Sequence, residues 1–242
     1  MLLEQTKNIA DKWGKSLGFS RGFGLQGLNV EECQKIHEAT MEVLEKVGIS
    51  VPSQKAQKFF GDHGARIDKS KNLVYIPSDL VEKALTTIPS EITIPGRDRS
   101  GDYFMGGDKL DFLNFGTTVF INDLNTGERR KSVTEDVVEA TRVLDALTSI
   151  KILITVLSCT DKSPVTETMN ATAAMLANTN KPVEAAPPTA NLIPKMALMG
   201  EAAIGKEAFR KNPFFFTGVC VVSPLQLVDE CSEVLMAAVE NG

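Results

Sequence analysis

The sequence predicts an α/β protein, more narrowly an incomplete (β/α)8 TIM-type barrel preceded by an α+β N-terminal extension. Two observations carry the class and two more the barrel. From Ser132 onward short apolar runs alternate with amphipathic helical patterns, which is how parallel strands joined by crossover helices read. The clearest run, Phe214-Phe215-Phe216-Thr217-Gly218-Val219-Cys220-Val221-Val222, lacks polar alternation, as suits a strand buried on both faces. An open doubly wound sheet and a closed barrel both fit this alternation. The barrel is favoured because no glycine-rich phosphate loop follows the first strand and because the loops after the strands are long and unlike one another.

Residues 1–28 read as an arm, with Gly14, Gly18, Gly22, Gly24 and Gly27 after a short helix at residues 5–13. Gly22-Phe23-Gly24 with Gly27 has dinucleotide-loop spacing, but no strand precedes it. The extension covers residues 29–113. Asn29, with Glu32 three residues on, starts a helix whose apolar face is Cys33, Ile36, Thr40, Val43, Leu44 and Val47, ending at Gly48. His37 lies beside that face and reads as a hydrogen-bonded packing residue. A second helix runs over residues 53–60, a strand over 73–76, and Ser78 caps a third helix. Strands are expected near residues 91–94, 110–114 and 118–122, with a hairpin turn at Asn125-Thr126-Gly127.

Residues 114–242 read as the first part of the barrel. Ser132 or Thr134 caps a helix with Glu135 and Asp136 in its first turn, where carboxylates favour the helix dipole. Val137, Val138, Thr141, Leu144 and Leu147 form its buried stripe. A strand at residues 151–157, a helix at 165–177 opened by Ser163-Pro164, a strand at 182–186 and a helix at 193–204 follow. After the Phe214 run, Ser223 caps a last helix, with Pro224 at its first position and Gln226 reaching back to the cap. A barrel takes about 250 residues. Barrel-like texture begins near Phe115 and the sequence stops at Gly242, so a truncated barrel is expected.

Composition narrows the function classes. The 242 residues are 43% hydrophobic and 24% charged, ordinary for a soluble globular protein. The net charge of −5, with Lys and Arg scattered, argues against a nucleic-acid partner. The longest apolar run, residues 150–159, is interrupted by Lys151, Thr155 and Ser158 and falls short of the roughly 20 residues that cross a bilayer. Met1-Leu2-Leu3 gives way at once to Glu4, Lys7 and Asp11, so no signal-peptide core forms. A cytoplasmic protein with no membrane partner is expected. Cys33, Cys159, Cys220 and Cys231 read as buried free thiols. With His37 and His63 the only histidines, a His-rich metal site is excluded and no bound metal is expected.

Several stretches then line up in order. Ile36-His37-Glu38-Ala39-Thr40-Met41-Glu42-Val43-Leu44 with Gly48-Ile49, Tyr75-Ile76-Pro77, Gly96-Arg97-Asp98, Asn114-Phe115-Gly116-Thr117 and Ser223-Pro224-Leu225 resemble the trimethylamine methyltransferase family. No single stretch is specific; the ordered set is. The resemblance implies a (β/α)8 barrel behind an N-terminal extension, roughly twice this length. It implies transfer of a methyl group from a methylated amine, either trimethylamine or a quaternary amine such as glycine betaine, to the cobalt of a separate corrinoid protein. Cobalamin would then be carried by that partner, with no cofactor bound directly by this chain. The position that holds pyrrolysine in some members would lie beyond Gly242, so the catalytic residue is not identified. A homo-oligomer of the complete protein is expected.

Candidate substrate-binding residues sit where barrels place their chemistry, at C-terminal strand ends. Glu184 interrupts the apolar run at residues 183–186, and a carboxylate there must be ion-paired, solvated in the lumen or protonated. Facing the lumen, it would attract a methylated ammonium ion, which an aromatic face also holds with about 1 to 2 kcal/mol. Asn114, Phe115, Gly116 and Thr117 match the family's motif at the barrel entrance. Phe115 reads either as such a face or as core packing. Arg97 reads as an ion-pair tie between extension and barrel. Two other functions compete: a barrel fragment with only a structural or interaction role, and another TIM-barrel lyase or isomerase.

Overall fold

The computed structural model describes residues 27–106 and 111–241. The expected helix at residues 5–13 and the Gly22-Phe23-Gly24 step lie outside the described residues. The chain divides into two compact units: residues 27–92, 105–106 and 221–232 in the first, and residues 93–104, 111–220 and 233–241 in the second.

The first unit begins with α1 (Val30–Glu42), continued by a π-helical turn at Val43–Val47. Its start is fixed as the sequence requires. The Asn29 side chain accepts from the Glu32 amide at 2.9 Å, and the Glu32 carboxylate accepts from the Asn29 amide at 2.8 Å, a reciprocal cap on two otherwise orphaned donors. The helix stops at Gly48, where φ is +76° and a Cβ would come within 2.7 Å of the Val74 carbonyl oxygen. Strands β1 (Ile49–Ser50), β2 (Arg66–Asp68) and β3 (Leu73–Tyr75) make an antiparallel sheet in the order β1-β3-β2. Helices α2 (Gln54–Asp62) and α3 (Ser78–Thr87) complete it. Val51, Ala56, Ala65 and Val74 are buried.

Two expectations for this unit need correcting. The stripe on α1 is not a buried face: Ile36 and Val47 are more than half exposed, Cys33 is exposed, and Met41 is the buried residue of the helix. Ser78 does not cap α3; Pro77 is the N-cap, and the Ser78 hydroxyl donates to Glu45 at 2.7 Å. His37 is hydrogen-bonded to Glu82 at 3.1 Å, as expected of a packing histidine.

Strands β4 (Glu91–Ile94) and β5 (Tyr103–Gly106) pair with each other. The second unit is built on four parallel strands, β6 (Phe112–Leu113), β9 (Ile150–Ile154), β10 (Val183–Glu184) and β11 (Phe215–Phe216), in the order β11-β10-β9-β6. The α/β class with a parallel sheet is therefore present. Each strand lies beside the one that precedes it in the chain among the four, with no reversal of direction across the sheet. Between β6 and β9 come the hairpin β7 (Phe120–Asn122) and β8 (Arg129–Lys131), turning at Gly127 with φ +73°, and then α4 (Thr134–Ala146). Helix α5 (Glu167–Asn178) joins β9 to β10, and α6 (Ile193–Ile204) with α7 (Lys206–Lys211) joins β10 to β11. The core holds Val137 of α4, Leu153 of β9, Met175 of α5, Val183 of β10, Phe209 of α7 and Phe214.

The chain ends in α8 (Asp229–Asn241), and here the sequence reading fails most plainly. Ser223 caps nothing. Residues 223–225 form a turn whose Ser223-Pro224 peptide is cis, and the helix starts at Asp229, five residues later than expected. The backbone there is committed elsewhere: Val222 and Gln226 exchange hydrogen bonds of 2.9 Å, and Ser50 bonds to Leu225 and Leu227 at 2.8 and 2.9 Å. Ser163-Pro164 likewise forms a turn, closed by Thr166 N–H to the Ser163 carbonyl, ahead of a helix that begins at Glu167. The buried-thiol expectation holds for Cys159, whereas Cys33 and Cys220 are exposed. Among the described residues no helix is long and apolar enough to cross a membrane.

Candidate active site at the carboxyl ends of the parallel strands

Side chains alternate along a strand, and that alternation aims Glu184. Val183 and Ala185 are fully buried, Val183 among core residues of α4, α5 and α7 and Ala185 against Leu192 and Met196 near and on α6. Glu184, between them, points to the opposite face of the sheet and is partly buried. In register beside it lie Ile154 of β9 and Phe216 of β11. Its carboxylate leans toward β11: a Cβ built on Gly218 would stand 2.3 Å from Glu184 Oε1. A carboxylate is thus held at the carboxyl end of a parallel strand, on the face away from the helices.

The Asn114–Thr117 stretch follows β6 and is tied to the continuation of β9. Asn114 Nδ2 donates to the Ile154 carbonyl at 2.7 Å, and the Ile154 amide donates to Asn114 Oδ1 at 2.8 Å. The side chain thereby prolongs the short β6–β9 ladder in place of a backbone pair. Thr117 Oγ1 donates to the Thr155 carbonyl at 2.8 Å, and Thr118 N–H to Val156 at 3.0 Å. Gly116 is where this approach is closest; a Cβ there would meet the Thr155 carbonyl oxygen at 2.5 Å and Val156 Cα at 2.7 Å. The Gly116-Thr117 peptide is cis. Phe115 is left 91% exposed, so it is not core packing.

The five sequence-selected residues fall at the same ends of the sheet in two places. Asn114, Gly116 and Thr117 are spent on backbone contacts with residues 154–156, whereas Glu184 and Phe115 present side chains. Glu184 and the Asn114 loop are separated by β9, two strand spacings or about 10 Å across the sheet. Asn114 grips Ile154, the residue in register with Glu184, and so fixes the backbone beside the carboxylate. Thr155, at the carboxyl end of β9, carries a hydroxyl that is the one buried side-chain polar atom without a hydrogen-bond partner among the described residues. Sequence reasoning missed Gly218. Its signal was available: a lone glycine inside a β-branched run marks close approach of another group.

Gly96-Arg97-Asp98 belongs to the other end of the strands. Arg97 donates to Asn180 Oδ1 through Nε and Nη2 at 3.1 and 2.6 Å, and through Nη1 to the Leu176 carbonyl. Asn180 in turn donates to Asp98 at 2.8 Å. Arg97 therefore binds a neutral amide and a carbonyl, not the acidic partner expected of it. A cavity of about 560 Å³ lined by Pro194, Leu198, Glu201, Lys206, Arg210 and Asn241, among others, includes none of the strand-end residues.

Singly wound parallel strands with a carboxylate at their carboxyl ends define an α/β protein of the kind that places ligands beyond those ends. Residues 19–242 match the family described as trimethylamine methyltransferase, and the chain belongs to that family. It is 35% identical to a trimethylamine methyltransferase of Desulfitobacterium hafniense over 222 residues, covering 91% of this chain and 45% of that protein. It is 30% identical to the trimethylamine methyltransferase of Methanosarcina barkeri over 224 residues, 90% of this chain and 45% of the relative. A glycine betaine methyltransferase of D. hafniense is 33% identical over 109 residues, 45% of this chain and 22% of that protein. The chain thus spans a little under half the length of the two trimethylamine methyltransferases.

Proposed function

We propose that this chain supplies the extension, at residues 29–113, and the first strands of a (β/α)8 barrel, at residues 114–242, in a methyltransferase acting on a methylated amine. Strand order that follows chain order supports the barrel, since a closed barrel adds each strand beside the last. The names of the relatives support the amine, as trimethylamine or a quaternary amine such as glycine betaine. The methyl acceptor in this reading is a corrinoid carried by a partner protein in the cytoplasm, and the complete protein is a homo-oligomer. The acceptor supplies the electron pair of the new carbon–cobalt bond, while the pair of the broken carbon–nitrogen bond stays on the departing amine.

The observation that carries the reading is Glu184, a carboxylate at the carboxyl end of β10 with its side chain directed away from the hydrophobic core. Its task is to hold the positive nitrogen. Because a quaternary nitrogen loses its charge as it departs, the attraction is strongest before the transition state. Glu184 therefore contributes to binding and not to the rate of the chemical step. Phe115 adds an exposed aromatic face at the neighbouring loop.

The test is methylation of the cognate corrinoid protein by the complete gene product, with trimethylamine and glycine betaine offered separately. Glu184→Gln keeps the shape and removes the charge. It is expected to weaken binding by about 1 to 3 kcal/mol, seen as a raised half-saturation with turnover unchanged or faster. Unchanged half-saturation for either amine would make Glu184 structural. If the wild-type protein with reduced corrinoid partner accepts no methylated amine, the reading is wrong.

A further inference from the structure

Gly218 lies two residues beyond Phe216, the residue in register with Glu184. Its φ is outside the left-handed range, so its backbone does not demand glycine. Space does. An added Cβ would stand 2.3 Å from Glu184 Oε1, 3.1 Å from Cδ and 3.8 Å from Cγ, and nothing else is closer. The missing side chain at position 218 is the berth in which the carboxylate lies. We propose that Gly218 is a positioning residue: by leaving that berth open it sets the direction of the Glu184 carboxylate over the end of β11, and through it the place where a methylated ammonium ion is bound. This inference rests on the proposed function and adds a determinant of where in the mouth the cation sits.

Elsewhere a glycine does a different job. At Gly116 the atoms in the way are backbone, the Thr155 carbonyl and Val156 Cα, so a methyl group cannot be accommodated without moving the chain. At Gly218 the obstacle is the tip of a flexible side chain, which can rotate aside at the cost of a rotamer change. Gly218→Ala is therefore expected to preserve the fold and to turn the carboxylate away.

The experiment compares the wild type, Gly218→Ala, Glu184→Gln and the double variant in the complete gene product. The readout is half-saturation with glycine betaine and with trimethylamine in corrinoid methylation, together with the thermal midpoint. Gly218→Ala is expected to raise half-saturation about three- to tenfold, a fraction of the energy of a charged hydrogen bond, and to add nothing once Glu184 is Gln. An equal rise from Gly218→Ala in both backgrounds would mean that the methyl group merely fills space, and would overturn the proposal. So would no change from Gly218→Ala alongside a clear effect of Glu184→Gln, an outcome that leaves the role of Glu184 standing. If Glu184→Gln has no effect, the reading of Glu184 falls and the positioning role falls with it. Should Gly218→Ala lower the thermal midpoint, removing the obstacle with Glu184→Ala must restore it, and failure to restore overturns the contact on which the proposal stands.

Discussion

At the amino end of β10, Gly96 and Gly101 press against the Asn180 carbonyl while Arg97 and Asp98 hold the Asn180 side chain. At the carboxyl end of β6, Gly116 presses against the Thr155 carbonyl while Asn114 and Thr117 hold the backbone of residues 154 and 155. The two loops use one device, close approach at a glycine secured by polar side chains, at opposite ends of the same sheet. They differ in what is left over. Arg97 is fully engaged, whereas Phe115 is carried on the carboxyl-end loop with its ring in solvent. The resemblance that singles out both stretches therefore marks two clamps, and only position along the strands sets apart the one at the carboxyl ends, where the proposed site lies.

The largest effects should come from the glycines. Gly96→Ala and Gly116→Ala each put a methyl group within 2.6 and 2.5 Å of a carbonyl oxygen, and each should cost about 2 to 4 kcal/mol of stability by chemical denaturation. The comparison is sharpened by activity per folded molecule: it should survive Gly96→Ala and fall with Gly116→Ala. Equal losses of activity would break the distinction between the ends.

A smaller effect concerns charge. Both clamps include neutral amide and carbonyl partners, whereas the β7–β8 hairpin is fastened to α4 by Arg130, which bonds Asp123 at 2.9 Å and Asp136 at 2.8 and 2.9 Å. Hydrogen bonds from Arg130, then from the Asn125 and Thr126 amides, hold the Asp123 carboxyl down at about 2, and Arg130 likewise lowers Asp136. A depressed carboxyl stabilises the fold fully above its unfolded value near 3.8 and loses that contribution as pH falls toward about 2. Amide protection at Asn125, Thr126 and Val133 should drop across that window while protection at Ile154, bonded to the neutral Asn114 side chain, holds. Loss at Ile154 over the same interval would place the carboxyl-end clamp under the same ionic control.

The smallest stability effect belongs to Phe115→Ala. Its exposure of 91% leaves almost no burial to lose, so the change should stay within about 0.5 kcal/mol. Half-saturation for a cationic amine should rise several-fold, consistent with the loss of about 1 kcal/mol of cation–π attraction. A stability loss several times larger would show that the ring is covered in the complete protein.

The same contrast explains what could be read from the sequence. Local signals were reliable where the partner was local: the Asn29 and Glu32 cap of α1, the span of α6 and the Asn125-Thr126-Gly127 turn all depend on neighbours a few residues away. Ser223-Pro224 carried an equally good local signal and failed, because Ser50 takes the carbonyl of Leu225 and the amide of Leu227. That competition is invisible without the tertiary partner. The Phe214 run was overextended for a related reason. Its ladder with β10 covers only Val183 and Glu184, beyond which Pro187 and Pro188 offer no donors. Glu184 was legible as an anomaly, a charge in an apolar run, and Asn114 only as part of a resemblance. That its amide would serve as a substitute strand residue followed from no property of Asn114 alone.

The order of the parallel strands bears on how the protein is made. Each strand of the sheet pairs with the one synthesised before it, after an interval of roughly 30 to 40 residues. On the ribosome β9 emerges to find β6 already outside the tunnel, β10 then finds β9, and β11 finds β10. Growth at a single edge limits each pairing search to one crossover, whereas a doubly wound sheet must return to its first strand from the far side. The nascent sheet can therefore lengthen strand by strand at the pace of translation, with one unpaired edge open at each stage.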